Sequence, residues 1–129
     1  QVLYRLAEVM EGRRAELVDA RRSAGAEEGA AKREVDASID RVVHYAGWTD
    51  KVASLLSSYN PVAGPHYDVT SPESMGVVAV VAPESETPLL GLVSTVLPVI
   101  VPGNGALVPA PGCVIGWLPC PPREREAWR

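Results

Sequence analysis

The sequence lacks an excess of basic residues. Its 129 residues include 12 Lys and Arg against 16 Asp and Glu, which gives a net charge of −4. Proteins that bind nucleic acid present a basic patch to the phosphate backbone, so this composition argues against such a partner. Charged residues are also missing from residues 87–122, whereas the first half of the chain mixes both signs as solvated helix faces do.

A long unbroken apolar run is missing as well. A helix needs about 20 consecutive apolar residues to span a bilayer. The best candidate, residues 89–101, is shorter, contains Pro98 and leads into Pro-Gly-Asn-Gly at residues 102–105. We therefore predict that this stretch is the interior of a fold, and we expect no membrane partner.

Cysteine is scarce, with only Cys113 and Cys120 in the chain. Two cysteines are too few for a disulfide framework in a chain of this length. Their scarcity suits a reducing compartment, and the charged, amphipathic N-terminal segment does not resemble a signal peptide. We expect a cytoplasmic protein. Neither cysteine has neighbours that would stabilise a thiolate, so we predict that neither is a nucleophile.

Motifs for metals and nucleotides are also missing. No cluster of His, Cys and Asp has zinc-ligand spacing, and the sequence contains neither a P-loop nor a G-x-G-x-x-G turn. We predict that His44 lies on a helix surface or is partly buried, and that His66 is exposed in a proline-rich loop. Trp48 is predicted to pack a helix against a sheet. Gly103-Asn104-Gly105 is predicted to be a turn rather than a phosphate-binding loop.

Helical periodicity is the main feature of the first half of the chain. We predict one helix over residues 2–22 and a second over about 27–56, followed by a loop or short edge strands over 57–74. Glu28 and Lys32 are four residues apart and are expected to pair on the exposed side of the second helix. Its apolar stripe is predicted to consist of Val35, Ile39, Val42, Val43 and Ala46.

A strand–helix–strand unit is predicted over about residues 77–108, which makes the fold class α/β. Residues 77–81 form a continuous apolar run, typical of a parallel strand covered on both faces. Thr87-Pro88 predicts a helix start, and the following helix, to about residue 100, carries so few polar residues that we expect it to be buried. Residues 106–108 are predicted to form the second strand. The loop at 83–87 lies where open α/β sheets bind ligands, and the helix start after it favours anions.

Three segments in register resemble the aldehyde dehydrogenase family. Residues 45–51 read Y-A-G-W-T-D-K and resemble the family's Y-A-G-W-A-D-K. Residues 76–83 read G-V-V-A-V-V-A-P and resemble its G-V-V-G-V-I-x-P strand. Leu97-Pro98 followed by Gly103-Asn104 resembles its P-A-L-x-x-G-N turn. Order and spacing agree over about residues 2–112.

The resemblance implies oxidation of aldehydes to carboxylic acids with NAD or NADP. It implies a partial domain over residues 1–112, in which a helical layer precedes an incomplete Rossmann-like sheet. It also places five residues against the cofactor: Val81, Ala82, Pro83, Glu84 and Pro109. We expect residues 113–129 to be a divergent, disordered tail, because the resemblance ends before them.

The sequence departs from the family pattern at two sites. Where the family has P-W-N-F-P, whose asparagine helps to hold the oxyanion, residues 83–88 read P-E-S-E-T-P, without Trp or Asn. Where the family has K-P-S-E, with Lys and Glu contacting the ribose, residues 109–112 read P-A-P-G. Binding of NAD or NADP by this chain is therefore in doubt.

The family's nucleophilic cysteine and general-base glutamate motifs are not found in this sequence. Three hypotheses stay open. The chain is an inactive piece of an aldehyde dehydrogenase, or a piece of a working one, or a non-catalytic interaction or scaffold module. The acidic replacement of P-W-N-F-P is similar to the degenerate second domain of the two-domain, member-16 type of the family. We expect a homo-oligomer or a protein partner.

Overall fold

The structure, a computed structural model, describes residues 1–83 and 86–109. Helices α1 (Val2–Gly12), α2 (Arg14–Ser23), α3 (Glu28–Trp48) and α4 (Val52–Leu56) come first. Strands β1 (Ser58–Asn60), β2 (Asp68–Thr70) and β3 (Val77–Ala79) follow, and then α5 (Pro88–Ile100) and β4 (Gly105–Leu107). This mixture of helices with small sheets confirms the predicted α/β fold class.

Two small sheets are present among the described residues. Strands β1 and β2 pair in antiparallel fashion, with Tyr59 opposite Val69. Strands β3 and β4 pair in parallel, with Val78 opposite Ala106, and α5 connects them. The predicted strand–helix–strand unit is therefore present. Its first strand is shorter than predicted, 77–79 instead of 77–81, and its second is shifted by one residue, from 106–108 to 105–107.

The first predicted helix is divided in two. Arg13 lies between α1 and α2 with φ −106° and ψ 18°, outside the helical range. Gly12 before it has a low helix propensity, which makes this a favourable place for a break. The break separates segments that pack on different halves of α3: Leu3 of α1 lies in one core cluster and Val18 of α2 lies in another.

The second predicted helix is also interrupted, after Trp48. Thr49 donates from its hydroxyl to the carbonyl of Ala46 at 2.7 Å, and the amide of Lys51 donates to the carbonyl of Trp48 at 2.9 Å. Bonds of this kind compete with helix continuation. The apolar pattern did not reveal them, because it records side-chain polarity and not local backbone bonding.

The core lies between α3 and the helices packed on it. One cluster contains Leu3, Ala7, Val42, Ala46 and Leu97, and the other contains Val18, Ala31, Val35 and Ile39. Helix α5 joins both clusters, with Leu89 against the second and Leu97 in the first. Val43, predicted in the apolar stripe, is instead 44% exposed, because it lies one residue past Val42 and so points away from this core.

The predicted burial of β3 on both faces is wrong. Val77 and Val81 are 77% and 74% exposed, whereas Val80 is buried. Alternate residues point to opposite faces of a strand, so one face is covered and the other is not covered by any described residue. Helix α5 is likewise half-buried along most of its length, with only Leu97 fully buried. We name the exposed residues Val77, Val81 and Leu107 the open sheet face.

Candidate functional site

The carboxyl ends of β3 and β4 lie side by side. Ala79 pairs with Leu107, and the amide of Val80 donates to the carbonyl of Leu107 at 2.9 Å. Since the strands are parallel, residues two positions further along each strand leave the sheet at the same edge. Val81 and Pro109 therefore occupy matching positions, two residues past the paired ends of the strands.

Four of the five residues predicted to contact a cofactor lie at this edge. Val81, Pro83 and Pro109 are exposed and Ala82 is half-buried. Glu84 lies outside the described residues. None of the four placed side chains can donate or accept a hydrogen bond, and the two prolines also lack an amide proton. The edge therefore lies where a ligand site is expected, but these four residues supply no polar side chain to it.

The ring of Pro83 packs on α5. A Cβ atom placed on Gly91 would lie 2.9 Å from Cγ and 3.4 Å from Cδ of this ring. Glycine at residue 91 therefore permits the close approach between the end of the β3 segment and the helix. The contact fixes Pro83 against the scaffold at the start of the loop that connects them.

The N-terminus of α5, predicted to favour an anion, is occupied by a side chain of the chain itself. Oε1 of Glu34 accepts the backbone amides of Leu89 at 2.8 Å and Leu90 at 3.4 Å. The carboxylate thus satisfies the first free amides of the helix and complements the positive end of its dipole. The predicted preference for an anion is met from inside the protein.

Glu34 is also paired with a cation. Nε of Arg21 donates to its Oε2 at 2.6 Å, and the same guanidinium donates to the carbonyl of Glu86 at 3.0 Å. The Glu34 side chain is 2% exposed and that of Arg21 is 14% exposed. A buried charge is tolerated only when it is paired and hydrogen-bonded, and both conditions are met here.

Sequence reasoning missed Glu34 and Arg21. The signal that could have found Glu34 is its spacing: it lies three residues after Ala31 and four before Ser38, which are both fully buried. Helical geometry places residues at that spacing on one face. A carboxylate on a buried face requires partners, which are a cation and free helix amides in this protein.

Asn104 has a structural role at the opposite edge of the β3–β4 sheet. Its Oδ1 accepts the amides of Met75 at 2.7 Å and Gly76 at 3.2 Å, just before β3. Gly103 has φ +92°, a conformation that favours glycine. The predicted turn is confirmed, and it ties the entry of β3 to the entry of β4.

The histidines and Trp48 lie away from this edge. Nε1 of Trp48 donates to Nε2 of His44 at 3.0 Å on the surface of α3, and Nζ of Lys51 lies 5.9 Å from the Trp48 ring centroid. Trp48 is 37% exposed, and its packing against a sheet stays a prediction. His66 is exposed, as expected.

The part of the chain that the structure describes contains no group of three or more His, Cys, Asp or Glu side chains able to hold a metal ion. Over the same residues, no helix combines the length and apolar character needed to cross a membrane. Cys113, Cys120 and the segment 113–129 lie outside the described residues.

These features define a class of protein: an α/β domain in which a helical layer packs on a strand–helix–strand unit, with a candidate ligand edge at the carboxyl ends of the strands. The sequence model of the aldehyde dehydrogenase family matches residues 1–111, and the chain belongs to that family. No curated protein matches the chain. The match confirms the resemblance that the three motifs indicated.

Proposed function

We propose that this chain is a piece of the cofactor domain of an aldehyde dehydrogenase-family protein and that it does not oxidise aldehydes by itself. Family members act on aldehydes with NAD or NADP. The observation that carries the proposal is the character of the strand edge. The placed residues Val81, Ala82, Pro83 and Pro109 offer hydrocarbon surfaces, and Glu34 fills the adjacent helix N-terminus.

Weak cofactor binding follows from this arrangement. A dinucleotide site of this fold type holds the ribose with a hydrogen-bonding side chain and the pyrophosphate with free amides at a helix start. Pro109 stands where the family has a ribose-contacting lysine. The amides of Leu89 and Leu90 at the start of α5 already donate to Glu34, so they are not available to a phosphate.

Calorimetric titration of the full chain with NAD and with NADP tests the proposal. We expect no saturable binding up to about 1 mM of either dinucleotide, the concentration that corresponds to about −4 kcal/mol of binding free energy. Pro109→Lys restores the family's cation and should improve binding. Pro61→Lys, at an exposed position in the loop between β1 and β2, is the matched control and should not.

Two outcomes would contradict the proposal. One is micromolar binding by the unmodified chain together with slowed amide exchange over residues 81–83. The other is turnover of an aldehyde with NAD by the purified chain, since that would place a working nucleophile in this sequence.

We further propose that the chain is of the degenerate second-domain type found in two-domain, member-16 family proteins, and that it is cytoplasmic. The support for the domain type is the acidic stretch between β3 and α5, where Glu86 stands near the place of the family's neutral oxyanion donor, and the support for the location is the scarcity of cysteine. A parent transcript encoding two tandem family domains would agree with this proposal, and one encoding a single domain with the nucleophilic motif would not.

The alternative function is that of a non-catalytic interaction or scaffold module, either in a homo-oligomer or with another protein. The open sheet face favours it, because Val77, Val81 and Leu107 expose 77%, 74% and 62% of their surfaces, and contiguous exposed apolar residues are typical of interaction sites. Val77→Lys should reduce the mass measured by light scattering at a fixed concentration. Val2→Lys, at a valine of α1 that is 82% exposed, is the control. Equal masses for the unmodified chain, Val77→Lys and Val2→Lys would exclude the open sheet face as an interface.

A further inference from the structure

Glu34 connects three elements that are distant in the sequence. It lies on α3, its cation partner Arg21 lies on α2, and the amides that it accepts belong to the first turn of α5. The Arg21 guanidinium also reaches the carbonyl of Glu86, immediately before that turn. The buried pair therefore contacts both the first turn of α5 and the segment immediately before it.

The contacts at this point are directional and leave little freedom. One carboxylate oxygen faces Arg21 at 2.6 Å and the other faces Leu89 at 2.8 Å, so both oxygens are used. The side chain of Glu34 is almost fully buried, so bulk solvent does not reach the carboxylate while these contacts are in place. If the carboxylate were removed, Arg21 and two helix amides would all face the vacated space.

We infer that Glu34 is an internal anion ligand that positions the start of α5 on the helical layer, and that its removal converts this position into a binding site for a small external carboxylate. Arg21 and the amides of Leu89 and Leu90 form the receptor in both cases. A guanidinium and free helix amides together recognise a carboxylate by charge-assisted hydrogen bonds. This inference does not depend on whether the family's cofactor binds.

Chemical rescue of the full chain tests this inference. Glu34→Ala should lower the urea midpoint followed by far-ultraviolet circular dichroism, and formate should restore part of the loss. A ligand present at about ten times its dissociation constant raises the folding equilibrium constant about tenfold. Chloride at the same ionic strength should not do so. Glu34→Gln keeps one acceptor oxygen but no charge. Its urea midpoint should lie between those of the unmodified chain and Glu34→Ala, and formate should raise it less than it raises the midpoint of Glu34→Ala.

The matched control is Glu28→Ala. Glu28 is a glutamate on the same helix, and it pairs with Lys32 at 2.6 Å, but both side chains are more than half exposed. Its removal should change the midpoint little, and formate should have no specific effect. Amide exchange measured by mass spectrometry should accelerate over residues 88–92 in Glu34→Ala and not in Glu28→Ala.

Several outcomes would overturn the inference. Formate could stabilise the unmodified chain, Glu28→Ala and Glu34→Ala equally, which would show a general salt effect. Glu34→Ala could match Glu28→Ala in stability and exchange. If Glu34→Ala does not fold, two other measurements decide. The inference would be refuted if formate did not restore the helical signal of Glu34→Ala and if Glu34→Gln had the same urea midpoint as the unmodified chain.

Discussion

Replacement of Gly91 by alanine is expected to destabilise the protein, although alanine is the better helix former. Gly91 is the fourth residue of α5, and its φ is not in the left-handed region. An alanine in a helix interior is favoured over glycine by about 1 kcal/mol. Its Cβ, however, would lie 2.9 Å from Cγ of Pro83, which is closer than carbon atoms approach without repulsion.

The two effects can be weighed against each other. The Pro83 ring cannot rotate away from α5, because it is part of the backbone. Relief requires the end of the β3 segment to move from the helix, and overpacking of this kind costs about 1–3 kcal/mol. The net change in unfolding free energy should therefore be a loss of up to about 2 kcal/mol, measured by urea unfolding at one protein concentration.

Gly47→Ala is the control for this prediction. Gly47 lies in α3, and a Cβ placed there meets only the Tyr4 hydroxyl at 3.8 Å, an ordinary contact. This variant should be neutral or gain up to about 1 kcal/mol. The double variant with Pro83→Ala and Gly91→Ala should recover most of the loss, since the clash needs both partners. If Gly91→Ala stabilised the protein as much as Gly47→Ala, the close contact would be refuted.

Two further predictions concern the β3 entry and the start of α3. Asn104→Ala should lower the unfolding free energy by about 1–3 kcal/mol, because it removes two hydrogen bonds from Met75 and Gly76 worth about 0.5–1.5 kcal/mol each. Asn104→Asp keeps the acceptor oxygen and should lower it less. Equal losses for the two variants in urea unfolding would contradict this prediction. Two amides of the first turn of α3 hold the pKa of Glu27 below its ordinary value of 4.5. Its contribution to stability is therefore present above that value and lost as the pH falls through the lower folded pKa. Glu27→Gln should flatten the acid side of a plot of urea midpoint against pH, and unchanged steepness would argue against the cap.

Local patterns in the sequence were enough to predict the family and the strand–helix–strand unit, although both long helices predicted before that unit are interrupted. Apolar spacing located the helices, and the β-branched run followed by Thr87-Pro88 located the strand–helix–strand unit. The Glu28–Lys32 pair was also predictable and is present at 2.6 Å, because residues four apart on a helix face each other whatever else the fold does. The turn at Gly103-Asn104 belongs to the same group.

Other features depended on contacts between distant segments. The exposure of Val77 and Val81 depends on what covers the second face of the sheet. An apolar run predicts a strand buried on both faces whether or not that cover is present. Spacing could place Glu34 on a buried face, but it could not name Arg21 of α2 or the amides of α5 as its partners.

The sequence by itself thus determined the family, the α/β class and the hydrocarbon character of the placed strand edge, because these are properties of residue type and local spacing. Only the tertiary structure decided that the start of α5 is already filled. Packing α2, α3 and α5 together brings one buried carboxylate to a guanidinium 13 residues away along the chain and to two helix amides 55 and 56 residues away, and no local pattern encodes that meeting.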